Sequence, residues 1–275
     1  MPLAHAVVTA PSSNPTRSML YLHGILGSGA NWRTFAKQIC QARPDWGAVL
    51  VDLRLHGESQ PGEGVNISPP HTIAHAANDV ADLVAGLSTP ARGLLAHSFG
   101  GKVALELVRQ MPGAFEQVFV IDASPSARPD ARGSESTRHI VELLEGLPPE
   151  FPDRNAFTRW IEERGVSRPV AMWLAMNVRP IPNTDRFVFR IDVASVREML
   201  DDYFRIDLWD VLEHPRGATQ THFVVGGKST VLDAADVERA RRCPQTTVDV
   251  IPEAGHWVHV DAPDALREIV LRYLA

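Results

Sequence analysis

Leu94-Leu95-Ala96-His97-Ser98-Phe99-Gly100-Gly101 is an apolar run that breaks at a serine and continues with helical spacing. It reads as a buried strand, a sharp turn centred on Ser98, and a helix. Such a turn lifts the serine hydroxyl above the end of the strand. Strand and helix then pass so close that the flanking residues must be small. Gly100 and Gly101 meet that demand on the helix side, while Ala96 stands on the strand side where glycine is usual. The stretch therefore predicts a nucleophile elbow inside an α/β fold.

A serine nucleophile needs a base to take its proton and donors for the oxyanion that forms. Upstream, Leu20-Tyr21-Leu22-His23-Gly24-Ile25-Leu26-Gly27-Ser28 is an apolar strand entering a glycine-rich loop; Ala254-Gly255-His256-Trp257-Val258-His259 follows another strand near the C-terminus. The expected oxyanion donors are the backbone N–H groups of Phe99 and Ile25, with Leu26 as the alternative to Ile25. The positive end of the elbow helix adds to their effect. His256 is the expected general base, because the glycine before it lets the chain turn the imidazole back towards the serine. His259, three residues on, is the alternative, and His23 reads as a brace of its own loop.

The acid that orients His256 has two candidates. The loop after the strand 223–225, Gly226-Gly227-Lys228-Ser229-Thr230, holds no carboxylate where one is usual, and Asp233 beyond it falls in the first turn of a helix, where dipole stabilisation explains it. Asp122 closes the strand that follows the elbow helix and can reach the imidazole from underneath. Asp122 is the expected acid, with Ser229 hydrogen-bonding the His256–Asp122 pair, and Asp233 is the alternative. Asp52-Leu53-Arg54-Leu55-His56-Gly57-Glu58-Ser59 reads as a hydrogen-bonded turn supporting the neighbouring loops, with substrate binding as the competing reading.

Around these motifs, apolar runs at 5–10, 18–22, 48–53, 93–97, 117–121, 221–225 and 246–251 alternate with helical patterns at 31–43, 72–87, 99–111, 232–242 and 263–274. Continuous apolar strands joined by crossover helices predict a mainly parallel sheet with helices on both faces. Only one strand precedes Ser18, so an opening hairpin is expected to be short. The rhythm breaks between Ser124 and Gly217, where proline is dense and short amphipathic helices are expected at 135–147, 154–163, 170–176 and 193–203. The expected organisation is a core of residues 1–123 and 218–275 with a cap inserted at 124–217. Trp160, Met172, Trp173, Met176 and Phe189 of that insertion are the candidate walls of a pocket over Ser98.

The 275 residues suffice for one large core, and 44% hydrophobic with 22% charged residues is an ordinary globular composition. A net charge of −6 argues against nucleic acid as a partner. Cys40 and Cys243 are too few for a disulfide framework and the wrong number for a structural zinc site. No run reaches the length of a membrane span and the first fifteen residues do not read as a signal peptide, which makes the cytoplasm the expected location.

Taken together, the Ser98, His23-Gly24, Asp52-to-Ser59 and Gly255-His256 motifs resemble the α/β-hydrolase family across nearly the whole chain, most of all its small esterase branch. The resemblance implies hydrolysis of a small-molecule ester or thioester without cofactor or metal, and it supports an acid after the strand that follows the elbow, here Asp122. Epoxide hydrolases and haloalkane dehalogenases of similar fold attack with an aspartate, and serine at position 98 argues against them. A lactonase, a perhydrolase or a carbon–carbon bond hydrolase would use the same triad. A small-molecule receptor on a retained hydrolase fold is the alternative outside catalysis.

Overall fold

The computed structural model describes residues 3–60 and 67–274; residues 1–2, 61–66 and 275 of the expected core lie outside them. Its strands are β1 (His5–Val8), β2 (Arg17–Leu22), β3 (Trp46–Val51), β4 (Ala91–His97), β5 (Gln117–Ile121), β6 (Val178–Pro180), β7 (Phe187–Phe189), β8 (Gln220–Gly226) and β9 (Thr246–Ile251). Seven of them form one sheet in the order β1-β3-β2-β4-β5-β8-β9. β1 is antiparallel to β3 and every other pairing in that sheet is parallel. A single edge strand thus stands in for an opening hairpin.

The helices are α1 (Arg33–Ala42), α2 (Ile73–Ala85), α3 (Phe99–Gln110), α4 (Glu135–Leu144), α5 (Arg154–Glu162), α6 (Arg168–Leu174), α7 (Val193–Arg205), α8 (Trp209–Glu213), α9 (Ala234–Arg242), α10 (Val258–Asp261) and α11 (Pro263–Tyr273). Successive strand side chains alternate between two cores. Met19, Tyr21, Leu50, Leu95 and Phe119 pack with α1 and α11, while Leu20, Leu22, Val49, Leu94 and Val118 pack with α2 and α3 on the opposite face. That alternation is the period of an extended strand, and it explains why the strands are apolar throughout: both faces are covered. Because the central strands are parallel, the loops after Leu22, His97, Ile121, Gly226 and Ile251 emerge at one edge.

Between β5 and β8 the chain leaves the sheet and forms α4 to α8 with a small antiparallel pair, β6 and β7. The pair and α8 were not legible from pattern: strands of three residues are too short to show a period, and Pro180 and Pro182 read as breakers. The helix expected over 170–176 begins earlier, at Arg168, and ends in a 3-10 turn over Ala175–Asn177.

Lys102 ties this insertion to the elbow helix. Its side chain is 1% exposed. Its Nζ donates to the carbonyl oxygens of Ser126 (2.8 Å), Tyr203 (2.7 Å) and Ile206 (2.9 Å), which lie on both legs of the insertion. Burial pulls its pKa down to about 7, opposed by the Asp207 carboxylate. Beside it, Asp236 accepts from Ser124 (2.5 Å), Ser126 (2.8 Å) and Arg128 (2.5 Å). Removing the donor leaves one buried carbonyl, that of Tyr203, and two part-buried ones without it, so Lys102→Met is expected to cost about 2 kcal/mol of stability. The check is a lower urea midpoint at unchanged slope. A variant as stable as the wild type would mean that desolvating the ammonium outweighs its three bonds.

Candidate active site

Ser98 stands between β4 and α3 in a conformation that few non-glycine residues adopt, φ 53° and ψ −118°. Its N–H donates to the Ile121 carbonyl (3.0 Å), which fastens the turn to β5. A Cβ at Gly100 would lie 2.7 Å from the His23 carbonyl oxygen, and one at Gly101 would lie 2.5 Å from Ala123 Cβ. The two glycines therefore let α3 start against the ends of β2 and β5. Ala96 is accommodated on the strand side, fully buried.

The Ser98 hydroxyl lies 3.0 Å from His256 Nε2, and His256 Nδ1 lies 2.6 Å from Asp122 Oδ2. A carboxylate only accepts, so Nδ1 carries the proton and Nε2 is left free to accept from the serine. Asp122 is fully buried, at φ 46°. The Ser229 hydroxyl donates to its Oδ2 (2.5 Å) and the Gly226 N–H to its Oδ1 (3.1 Å), so the carboxylate is held by three donors. Asp233 is elsewhere: it caps α9 through the Asp236 N–H (2.9 Å) and pairs with Arg128.

The loop after β2 brings Ile25 to the same place. A Cβ at Gly24 would sit 3.4 Å from Ser98 Cβ. The Leu26 N–H is already engaged by His56 Nε2 (2.9 Å). The Ile25 and Phe99 N–H groups have no hydrogen-bond partner among the described residues. His23 braces the loop, donating from Nδ1 to the Gly24 carbonyl (2.7 Å) and accepting at Nε2 from the Leu53 N–H (3.0 Å). The stretch 52–59 is a support as well. Asp52 accepts from the Gly29 (2.7 Å) and Glu58 (2.9 Å) N–H groups, and Arg54 pairs with Asp79 at 2.6 Å.

One contributor carries no signal in the sequence. His97 Nε2–H donates to the His256 carbonyl (2.8 Å), and the two rings lie 4.7 Å apart. Burial holds the His97 pKa well below its ordinary value, helped by the neighbouring His256 and His259, so the ring serves as a neutral prop. His259 lines the cavity beside His97, its pKa lowered to about 4 by burial.

The cavity above Ser98 has a volume of about 420 Å³. Of the five side chains expected to wall it, Trp173 does, edge-on to Trp257 at 4.7 Å. The other four do not. Trp160 lies beneath the Arg164 guanidinium, Phe189 stacks on Phe157 inside the insertion, and Met172 and Met176 are 56% and 46% exposed. Val170, one turn before Trp173 on α6, lines the cavity with it. Met176 lies beyond the end of α6, in the 3-10 turn over Ala175–Asn177, so helical spacing from Trp173 does not carry to it.

The profile of the alpha/beta hydrolase family matches residues 19–269. The chain belongs to that family. It is 28% identical to the sn-1-specific diacylglycerol lipase ABHD11 of Mus musculus over 284 residues, covering 100% of this chain and 86% of the relative. It is 26% identical to esterase YbfF of Escherichia coli over 271 residues, covering 97% of this chain and 96% of the relative. A marine microorganism esterase has the same fold, with a TM-score of 0.82 at 20% identity over 99% of each chain. Among the described residues, no helix is long and apolar enough to cross a membrane, and no cluster of ligating side chains is arranged for a metal ion.

The supporting histidines carry a cost in acid. Burial lowers the pKa of His23 to about 4 and that of His56 to about 3, the latter helped by His23. Their folded values lie below the unfolded one, so their contribution is complete above about pH 6.5 and is lost as pH falls towards the folded values. At about pH 5 each should cost roughly 2 kcal/mol. Stability measured by urea titration is therefore expected to decline from about pH 6.5 downwards; a curve flat to pH 5 would contradict neutral burial of these rings.

Proposed function

We propose that this chain is a serine hydrolase that cleaves carboxylic ester or thioester bonds of small substrates with apolar acyl groups, through an acyl-enzyme. The observation that carries the reading is the continuous line of hydrogen bonds from the Ser98 hydroxyl through His256 to Asp122, next to the two unengaged N–H groups of Ile25 and Phe99. The hydrolase family and its esterase- and lipase-named members support it.

In this reading His256 Nε2 takes the Ser98 proton as Oγ attacks the acyl carbon. Asp122 keeps the imidazole in the required tautomer and stabilises the imidazolium that forms. The N–H groups of Ile25 and Phe99 bind the oxyanion, aided by the positive end of α3. On collapse His256 passes the proton to the leaving oxygen or sulfur. It then activates the water that releases the acid and regenerates Ser98. Ser229 offsets part of the burial cost of Asp122 by giving it a hydroxyl donor. Residues 124–217 act as a cap on a core formed by 1–123 and 218–275, with Trp173, Val170 and Ile140 giving the acyl group an apolar surface and excluding water.

Prompt labelling of Ser98 by a fluorophosphonate, read by intact mass, is expected of the enzyme, and its absence would favour a receptor. On p-nitrophenyl esters, Ser98→Ala should abolish turnover with little change in Tm. Asp122→Asn should lower kcat on the order of ten-thousandfold, and Asp233→Asn far less. The reverse order for the two aspartates would move the acid to Asp233.

Trp173→Ala widens the apolar end of the cavity. The ratio of kcat/KM for medium over short acyl chains is expected to rise, by about fourfold for each methylene that the widened pocket buries. Equal losses on all chain lengths would make Trp173 a packing residue only.

A further inference from the structure

Lys228 stands in the loop where an acid is usual, and it reaches the cavity that holds Ser98. Among the described residues lining that cavity, histidines aside, it is the only one with a charged side chain. Arg128 is paired with Asp233 and Asp236, whereas no described carboxylate lies within ion-pairing distance of Lys228. Its backbone is fixed by three bonds: Gly227 N–H to Ile251 O (2.8 Å), Lys228 N–H to Ala254 O (2.9 Å) and Ser229 N–H to Gly226 O (3.0 Å). Only the side chain is free to adjust.

A Cβ at Gly133 would meet the Thr230 carbonyl oxygen at 2.2 Å, so the chain at Gly133 runs against the loop that carries Lys228. Ser134, Ser136 and Thr137, which follow it, line the same cavity as Lys228. Strand order gives the direction. Ile25 follows β2, on one side of β4, whereas Lys228 and His256 follow β8 and β9, on the other. A substrate whose carbonyl oxygen points to the Ile25 N–H has its leaving atom on the His256 side. β8 is the second strand from β4, roughly 10 Å away, which is the span of a leaving group several bonds long.

We infer that Lys228 is a specificity-determining residue that binds an anionic group, a carboxylate or a phosphate, carried by the leaving alcohol or thiol of the substrate. The inference rests on the ester- or thioester-cleaving reading above. Lys228 takes no part in proton transfer. It lowers KM for the anionic substrate and, in a chain of net charge −6, offsets the repulsion that an anion otherwise meets at the cavity.

The test uses a matched pair of thioesters, S-butyryl-3-mercaptopropionate and its primary amide S-butyryl-3-mercaptopropionamide, which are nearly equal in size and differ in the charge on the leaving thiol. Released thiol is followed with a disulfide reagent. The wild type is expected to favour the anionic member in kcat/KM by about fivefold, the size of an ion pair at a solvent edge. The preference should shrink towards unity in Lys228→Met, reverse in Lys228→Glu, and fade in about 0.5 M salt. A thermal midpoint equal to that of the wild type verifies that each variant is folded. No preference in the wild type, or one that survives Lys228→Glu, overturns the inference. So does a preference that follows a charge on the acyl arm, read with S-ethyl thiosuccinate and the corresponding primary amide. Failure of the catalytic reading is distinguishable, because Ser98 would then resist fluorophosphonate and neither member of either pair would be hydrolysed.

Discussion

A methyl group at position 100 would sit 2.7 Å from the His23 carbonyl oxygen and 2.9 Å from that of Leu22, so glycine is what lets helix α3 start against the end of strand β2. That approach sets the distance between the serine turn and the loop carrying Ile25. It also forces the chain through Ser98 at positive φ. Leu26 and Asp122, at φ 63° and 46°, share the condition. Each such residue costs on the order of 1–3 kcal/mol and persists only where its neighbours over-determine it. Here they do: the Ser98 N–H is held by β5, the Leu26 N–H by His56, and the Asp122 N–H by the Val224 carbonyl (2.9 Å).

The charge arrangement follows from the same crowding. Histidines buried around the site, His23, His56 and His97, stay neutral because burial disfavours their cationic form, and each uses its two nitrogens or its one proton to hold backbone. Asp122 is buried too, but Gly226, Ser229 and His256 supply the donors it needs. Neutral supports around one hydrogen-bonded carboxylate leave that carboxylate as the charge in contact with the His256 ring. In the joint between the insertion and the core a charge is buried instead, that of Arg128 paired with Asp233 and Asp236, beside the Lys102 amine.

The insertion meets the site through apolar contacts, Trp173 on Trp257 and Tyr203 on Phe99, and through polar ones. Asn177 donates from Nδ2 to the Leu26 carbonyl (2.9 Å), and Arg190 pairs with Glu58 at 3.0 Å. Both partners belong to loops that the buried histidines already brace. A shift of the insertion is thereby felt at the loop that carries Ile25, which links the shape of the cavity to the position of the backbone donors.

The sheet was legible because strand and helix periods are local properties: the alternation of apolar runs with helical patterns gives the parallel sheet and its crossover helices from the chain alone. Ser98, His256 and the loop at Ile25 were legible for a related reason, since glycines at 24, 100 and 255 mark where the chain must turn or approach closely. Asp122 could be named as a candidate because it closes the strand next to that of the elbow; Asp233, expected in the first turn of a helix, is instead the residue that caps α9. Other features depend on neighbours distant in sequence, which no period encodes. Lys102 bonds to carbonyls 24, 101 and 104 residues away, and His97 to one 159 residues away. Which face of α6 looks inward is decided by what packs against it, so Trp173 entered the cavity while Met172 on the same helix, and Met176 in the turn after it, face solvent. The sequence by itself determined the elements and the residue types at their ends; tertiary packing decided which of those ends meet, and which side chains line the space between them.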